Sequence, residues 1–246
     1  MPKKKTESKE INPAPSEERL AELMAQSTKK AGKAAEAVTI SAPNLQTVAL
    51  RIRGDAPYVQ HRFGQKAYTQ MKAAQEAGST GKKGKKREPK DFDLLYREAQ
   101  HVSTEGWWGM PAAAFRNALV SACRVCGFQM TKAKLSVFVE ADGFEDDGQP
   151  LIKITKGEPH PFDAVVRNET GVADIRRRPM FDPGWEAVVR IRFDADMFTR
   201  ADVANLLLRV GCQVGIGEGR PDSKKSTGMG WGTFSLVTGA EEQEAA

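Results

Sequence analysis

Cysteine is scarce in this chain of 246 residues: there are three, Cys123, Cys126 and Cys212. A low, odd count argues against a disulfide framework and fits a reducing compartment. Cys123 and Cys126 stand as a CxxC, but a structural zinc site needs about four ligands, and no second CxxC or histidine pair supplies the rest. The pair falls inside a helical pattern, where cysteine behaves as a small apolar residue, so the expectation is no metal and no cofactor.

Long apolar runs are missing too. Nothing approaches the roughly 20 consecutive apolar residues needed to span a bilayer, and the first residues hold no apolar signal core. We therefore expect a cytoplasmic protein with no membrane partner. The P-loop pattern GxxxxGK[ST] is absent, which argues against ATP hydrolysis. Histidine occurs at three positions, His61, His101 and His160, so imidazole chemistry has few candidates.

What the chain does have is clustered positive charge. Lys and Arg number 37 against 32 Asp and Glu, a net +5 that matters because the cations are grouped. Hydrophobic residues make up 40%, enough for one principal domain once polar tails are set aside. Residues 1–42 are rich in Lys, Glu, Ala, Ser and Pro and read as a disordered basic tail, with a short helix over 16–30 in which Leu20, Leu23 and Met24 share a face. Lys3, Lys4 and Lys5 at its start are either solvated or in contact with phosphates. Residues 43–238 form the expected domain, interrupted by a flexible loop at 78–91 in which Lys82, Lys83, Lys85, Lys86 and Arg87 sit among glycines. Residues 239–246 are an acidic tail, expected to be disordered.

Within the domain, LQTVALRIR at 45–53 alternates: Val48, Leu50 and Ile52 fall on one face, Thr47, Ala49, Arg51 and Arg53 on the other. This is a half-buried strand with a basic outer face. YVQHRFGQKA follows, then a helical stretch to about residue 77 and another over 92–101. After GWWGMP, the segment AAAFRNALVSACRVCG reads as an amphipathic helix, with Pro111 in its first turn, Phe115, Ala118, Ala122 and Val125 along one stripe, and Gly127 at its stop. Arg116 and Arg124 lie on a neighbouring face, reaching a ligand or flanking the core.

The middle of the chain is β-rich: LSVFVEA, LIKIT, FDAVVRN and WEAVVRIRFD. In the last of these Val189, Ile191 and Phe193 alternate with Arg190 and Arg192, repeating the pattern of the first strand. Between them Arg176, Arg177 and Arg178 form a cationic knot expected on a loop. A helix follows, with Thr199 and Asp202 spaced as a capping box, Val203, Leu206, Leu207 and Val210 on one side, and Gly211 as its end.

The chain then runs GIGEGRPDSKKSTGMGWGTFSLV. This segment holds Gly215, Gly217, Gly219, Gly228, Gly230 and Gly232, with Arg220, Lys224 and Lys225 between them. Glycines let main-chain amides approach phosphate oxygens closely, and the cations add charge there. Read as structure alone, some of these glycines simply turn corners. Tyr58, Trp107, Trp108 and Trp231 are stacking surfaces or core.

GMPAAAFRNALVSACR, WEAVVRIRFDADMFTRADVANLLLRVG and GIGEGRPDSKKSTGMGWGTFSLV, in this order, resemble the RAMP superfamily of CRISPR-associated proteins. The first is similar to that family's basic amphipathic helix, the second to its strand followed by a helix, the third to its glycine-rich loop and closing strand. The resemblance implies an α+β, ferredoxin-like or RRM-like antiparallel sheet with helices on one face. It also implies an RNA-binding subunit that repeats along the strand or sits within a ribonucleoprotein complex, or a stand-alone, phage-encoded relative. The segment 82–87 or the hairpin at 142–148 would stand for the family's thumb hairpin.

The function expected is binding of single-stranded RNA or DNA, RNA before DNA, by its phosphate backbone, with no catalysis required. The residues expected to carry it are Arg51, Arg53, Lys82, Lys83, Lys85, Lys86, Arg116, Arg176, Arg177, Arg178, Arg190, Arg192, Gly217, Gly219, Arg220, Lys224, Lys225, Gly228 and Gly230. Two alternatives stay open. One is a metal-independent endoribonuclease using His61, whose imidazole titrates near neutrality. The other is a capsid or assembly protein with basic loops.

Overall fold

The computed structural model describes residues 41–64, 90–167, 173–223 and 228–237, with Glu18, Arg19, Thr69, Lys72 and Ala73. The chain divides into two compact units, Met1–Ala42 and Pro43–Ala246, and the elements that bear on function belong to the second. The expected helices over 16–30 and up to 77 lie almost wholly outside the described residues, as does the basic segment 82–87.

Strand β1 (Leu45–Gly54) realises the alternation of its sequence: Ile52 is buried, Val48 and Leu50 pack against the core, while Thr47, Ala49 and Arg51 are exposed. It pairs antiparallel along its length with β9 (Glu186–Asp194) and, at its far end, with β10 (Phe234–Leu236). The other edge of β9 is shared end to end by β4 (Val137–Glu140) and β6 (Pro150–Lys156). Beyond β6 lie the short strands β3 (Gly109–Pro111) and β5 (Gly143–Phe144). Helix α2 (Ala112–Ala122) connects β1 to the β4–β6 region, and α4 (Arg200–Arg209) connects β9 to β10. Taking β4 as second strand and β9 as third, the order across the sheet is fourth, first, third, second, every pair antiparallel. This is the ferredoxin-like α+β arrangement.

Phe115 and Leu119 of α2 and Val203 and Leu207 of α4 are buried against Val189, Ile191, Phe193 and Phe234. Each fully buried aliphatic or aromatic side chain of this kind contributes about 1.5–3 kcal/mol. The opposite face of β1 and β9 stays open. A second sheet joins β2 (Tyr58–Val59) to β8 (Ala173–Phe181) and β7 (Pro159–Arg167), the last two forming a long hairpin between β6 and β9. Tyr96 of α1 (Phe92–Glu98) ties the root of this hairpin by donating its hydroxyl to the carbonyl of Pro159 at 2.8 Å.

Among the elements, these expectations need correction. The run Arg176, Arg177 and Arg178 is not on a loop: it lies within β8, where alternation sends Arg177 to one side and its neighbours to the other. The stretch beginning at Leu135 is not strand throughout, since Met130–Ser136 forms helix α3 and only Val137–Glu140 extends. Gly211 does not end α4. The chain winds on through a wide turn, Val210–Val214, to Gly215, whose φ of 68° stops it. Gly211 matters for packing instead, because a Cβ there would lie 1.9 Å from the carbonyl oxygen of Phe234, so only glycine lets β10 sit this close.

The capping box at Thr199 forms as expected, its side chain accepting from the Asp202 amide at 3.1 Å while Asp202 accepts from the Thr199 amide at 2.9 Å. Two substitutions should therefore separate in urea titrations. Thr199→Ala is expected to cost about 1 kcal/mol. Gly211→Ala should cost more than about 2 kcal/mol, because backbone rather than a flexible side chain must yield.

Candidate functional site

The open face is organised in rows set by strand register. At one end Arg53 of β1 stands opposite Glu186 of β9, with Lys156 of β6 on the other flank. Glu186 is 2% exposed, yet three cations reach it: Arg51 through Nε at 3.0 Å and Nη2 at 2.7 Å, Arg53 through Nε at 3.1 Å, and Lys156 Nζ at 3.5 Å. Burial alone would raise this carboxyl, but the hydrogen bonds from Arg51 and Arg53 outweigh it and hold Glu186 below the usual glutamate range. The side chains of Arg51, Arg53 and Lys156 remain 41%, 38% and 66% exposed. One carboxylate thus orients three cations whose side chains still reach solvent.

At the other end Phe138 of β4 stands opposite Arg192 of β9, and Arg192 opposite Thr47 of β1. The Arg192 guanidinium lies 5.6 Å from the centre of the Phe138 ring, and that of Arg116, reaching over from α2, lies 5.4 Å away. Arg116 donates to the carbonyls of Val137 and Lys134. Among the described residues neither arginine has a carboxylate partner. Between the two ends Arg190 is paired with Asp142 at 2.5 Å. Arg51, Arg53, Arg190 and Arg192 therefore share one face, and Arg116 joins them at its edge.

The remaining cations are dispersed. Arg178 is buried and donates to Glu218 at 2.9 Å; Arg177 is held by Asp163 at 2.8 Å and by Asp93 at 3.1 Å; Arg176 lies 3.7 Å from Asp174. Arg124 is paired with Asp222. Instead of forming a knot, Arg177 and Arg178 tie β8 to Asp93, Asp163 and Glu218 on other segments. Lys82, Lys83, Lys85, Lys86, Lys224 and Lys225 lie outside the described residues.

The glycine loop is more structural than its sequence suggests. A Cβ at Gly217 would come within 2.6 Å of the Val59 carbonyl, at Gly219 within 2.5 Å of the Trp231 ring, and at Gly232 within 1.8 Å of the Ile216 carbonyl. Packing alone explains these three. At Gly228 and Gly230 a Cβ would meet nothing nearer than 3.8 Å, so there the positive φ rather than packing favours glycine. Arg220 turns back to donate to the carbonyl of Gly217 at 3.0 Å. Of the candidate stacking rings, Tyr58 is 2% exposed and belongs to the core, Trp231 packs edge-on against Phe162, and Trp108 packs against the core and donates to Gln100. Trp107, partly exposed, has Lys153 over its ring at 5.8 Å.

His61 follows β2 and sits beside the loop, its Nδ1 3.7 Å from Glu218, with a side chain 44% exposed. Burial and then the Arg178 charge lower its pKa, against the opposing pull of Glu218. His101 is buried against Glu145 at 2.5 Å, and His160 faces Asp182 at 3.1 Å. Among the described residues no group of three His, Cys, Asp or Glu side chains is arranged to hold a metal, and no helix is long and apolar enough to cross a membrane.

Phe138 and Glu186 were not singled out by sequence. A signal existed for Phe138: between inward Val137 and Val139 it is an aromatic in the outward phase of a strand. Glu186 had none, because its partners come from distant strands.

The fold and open face thus define a ferredoxin-like α+β protein with a cationic sheet surface. No protein-family model matches the chain, and no curated protein is found similar to it.

Glu186 yields a pH prediction. Its lowered pKa contributes stability that is present above the ordinary glutamate value of about 4.3 and lost as pH falls through the folded-state value. In urea titrations Glu186→Gln should be less stable than the native protein at pH 7 by about 1–3 kcal/mol, with the gap closing as pH drops below 4.

Proposed function

We propose that this protein binds single-stranded nucleic acid, RNA before DNA, laying the phosphate backbone across the open face of the sheet. The observation that carries this reading is the pair of cationic stations on one face, Arg51, Arg53 and Lys156 around Glu186 at one end and Arg192 with Arg116 at the other. By strand rise the two ends are separated by about 20 Å, a span that suits an extended polyanion better than a compact anion. The resemblance to RAMP proteins supports the same reading and adds that the chain serves as a repeating subunit along the strand, in a CRISPR-type ribonucleoprotein or in a stand-alone, phage-encoded relative. Under that resemblance the hairpin at 142–148, or the segment 82–87 outside the described residues, stands for the thumb.

A second reading, a metal-independent endoribonuclease, has one observation in its favour. His61 is half-exposed and held toward its neutral form beside Arg178, the state a general base requires. If the native protein cleaves labelled RNA and His61→Ala binds without cleaving, this reading takes precedence; an uncleaved substrate removes it.

The main reading is tested by fluorescence anisotropy with single-stranded RNA, single-stranded DNA and duplex across a salt series. Affinity should fall steeply with salt, and Arg51→Ala combined with Arg53→Ala should flatten the slope of log K against log salt by about 0.7 for each phosphate no longer neutralised. Size-exclusion chromatography separates the assembly alternative: large oligomers without oligonucleotide would favour a capsid-type role, assembly only with it the repeating binder.

A further inference from the structure

Resting on that binding reading, we propose that Phe138 and Arg192, steadied by Arg116, form a stacking station for one unpaired nucleobase, so that this face selects single strands over duplex. The geometry that points to it is local. Phe138 is an aromatic ring on the open face of β4, partly exposed where the register would otherwise place a polar side chain. Arg192, its direct cross-strand neighbour, is exposed and lies with its guanidinium 5.6 Å from the ring centre. Arg116 approaches the same ring at 5.4 Å, and its bonds to the carbonyls of Val137 at 3.2 Å and Lys134 at 2.5 Å fix its orientation.

Three observations make this more than a packing detail. First, Arg192 has no carboxylate to hold it among the described residues, so the ring is its partner and its N–H edge stays available. A guanidinium resting against an aromatic ring presents a flat cationic surface, and nucleobases stack on aromatic rings and on guanidinium planes alike. Second, Thr47 continues the row on β1, so a base seated here has a small polar neighbour rather than a wall. Third, Arg51 and Arg53 lie farther along the same face, where they would meet phosphates a few nucleotides along the strand. A base held in stacked, paired form inside a duplex does not reach such a platform; an unpaired one does.

The test uses the full-length protein and a single-stranded RNA oligonucleotide carrying one 2-aminopurine, alongside oligo(A), oligo(U) and an abasic strand of equal length. The native protein should shift the 2-aminopurine fluorescence on binding, prefer oligo(A) to oligo(U), and bind the abasic strand more weakly. Phe138→Leu, which keeps an apolar side chain, should lower affinity for oligo(A) about tenfold and abolish the fluorescence change while leaving the salt slope unaltered. Arg192→Gln, at an exposed position where folding is not at stake, should also lose the fluorescence change and should reduce the salt slope as well. Phe138→Trp should keep or strengthen the preference for oligo(A). Equal affinity of native protein and both weakening variants for oligo(A), or equal native affinity for oligo(A) and the abasic strand, would overturn the stacking station while leaving backbone binding intact. No binding of any strand by the native protein would instead overturn the broader reading on which it rests.

Discussion

A single buried carboxylate, Glu186, holds together strands that otherwise carry like charges toward one another. Arg51 and Arg53 come from β1, Lys156 from β6, and Glu186 from the strand between them. Two unit charges of the same sign 4 Å apart repel by about 4 kcal/mol at the effective dielectric of a protein surface. Placed among three cations, the carboxylate converts that repulsion into a bridge across three strands. The same arrangement fixes where each guanidinium points. Arginines held in place by a neighbouring carboxylate keep less side-chain freedom than unpaired ones.

The two ends of the open face solve the same problem by different means. At the Glu186 end the arginines are neutralised in part by a full negative charge; at the Phe138 end they are steadied by the ring's quadrupole and by backbone carbonyls. A ring does not cancel a cation's field as a carboxylate does, so the second station carries more uncompensated charge per arginine. The glycine loop, which the sequence makes conspicuous, plays a different part. Gly217, Gly219 and Gly232 are small because Val59, Trp231 and Ile216 press against them, while Met229, between Gly228 and Gly230, is exposed.

How much was legible follows from the range of each interaction. Alternation in 45–53 and 186–194 declared which side of each strand is basic, because one face of an antiparallel sheet is buried and the period of two is strict. The capping box was equally local. On α2 the stripe held through Ala122, but the bounds did not. Pro111 ends β3 as the N-cap, the helix stops at Ala122 well before Gly127, and Val125 lies past that end and is 56% exposed. Arg176, Arg177 and Arg178 misled because a run of like charges suggests a loop, whereas their counter-charges Asp174, Asp163, Asp93 and Glu218 are mostly supplied from elsewhere in the chain. Phe138 was hidden in a stretch whose first part coils into α3, which obscured the strand's phase. Gly211 showed no sign of its packing role, since the close approach of Phe234 comes from a strand more than twenty residues later.

The pairing of β1 with β9 sets a limit on when the cationic face comes into being. Arg51 and the carboxylate that orients it are 135 residues apart, and β10, which borders Arg53, comes later still. Contacts of such long range form only after the entropy of closing a large loop has been overcome, which slows folding. A chain still emerging from the ribosome displays the arginines of β1 long before Glu186 exists to arrange them. The assembled face therefore exists only once β9 has been made, and fragments ending before β9 carry the charge without the geometry.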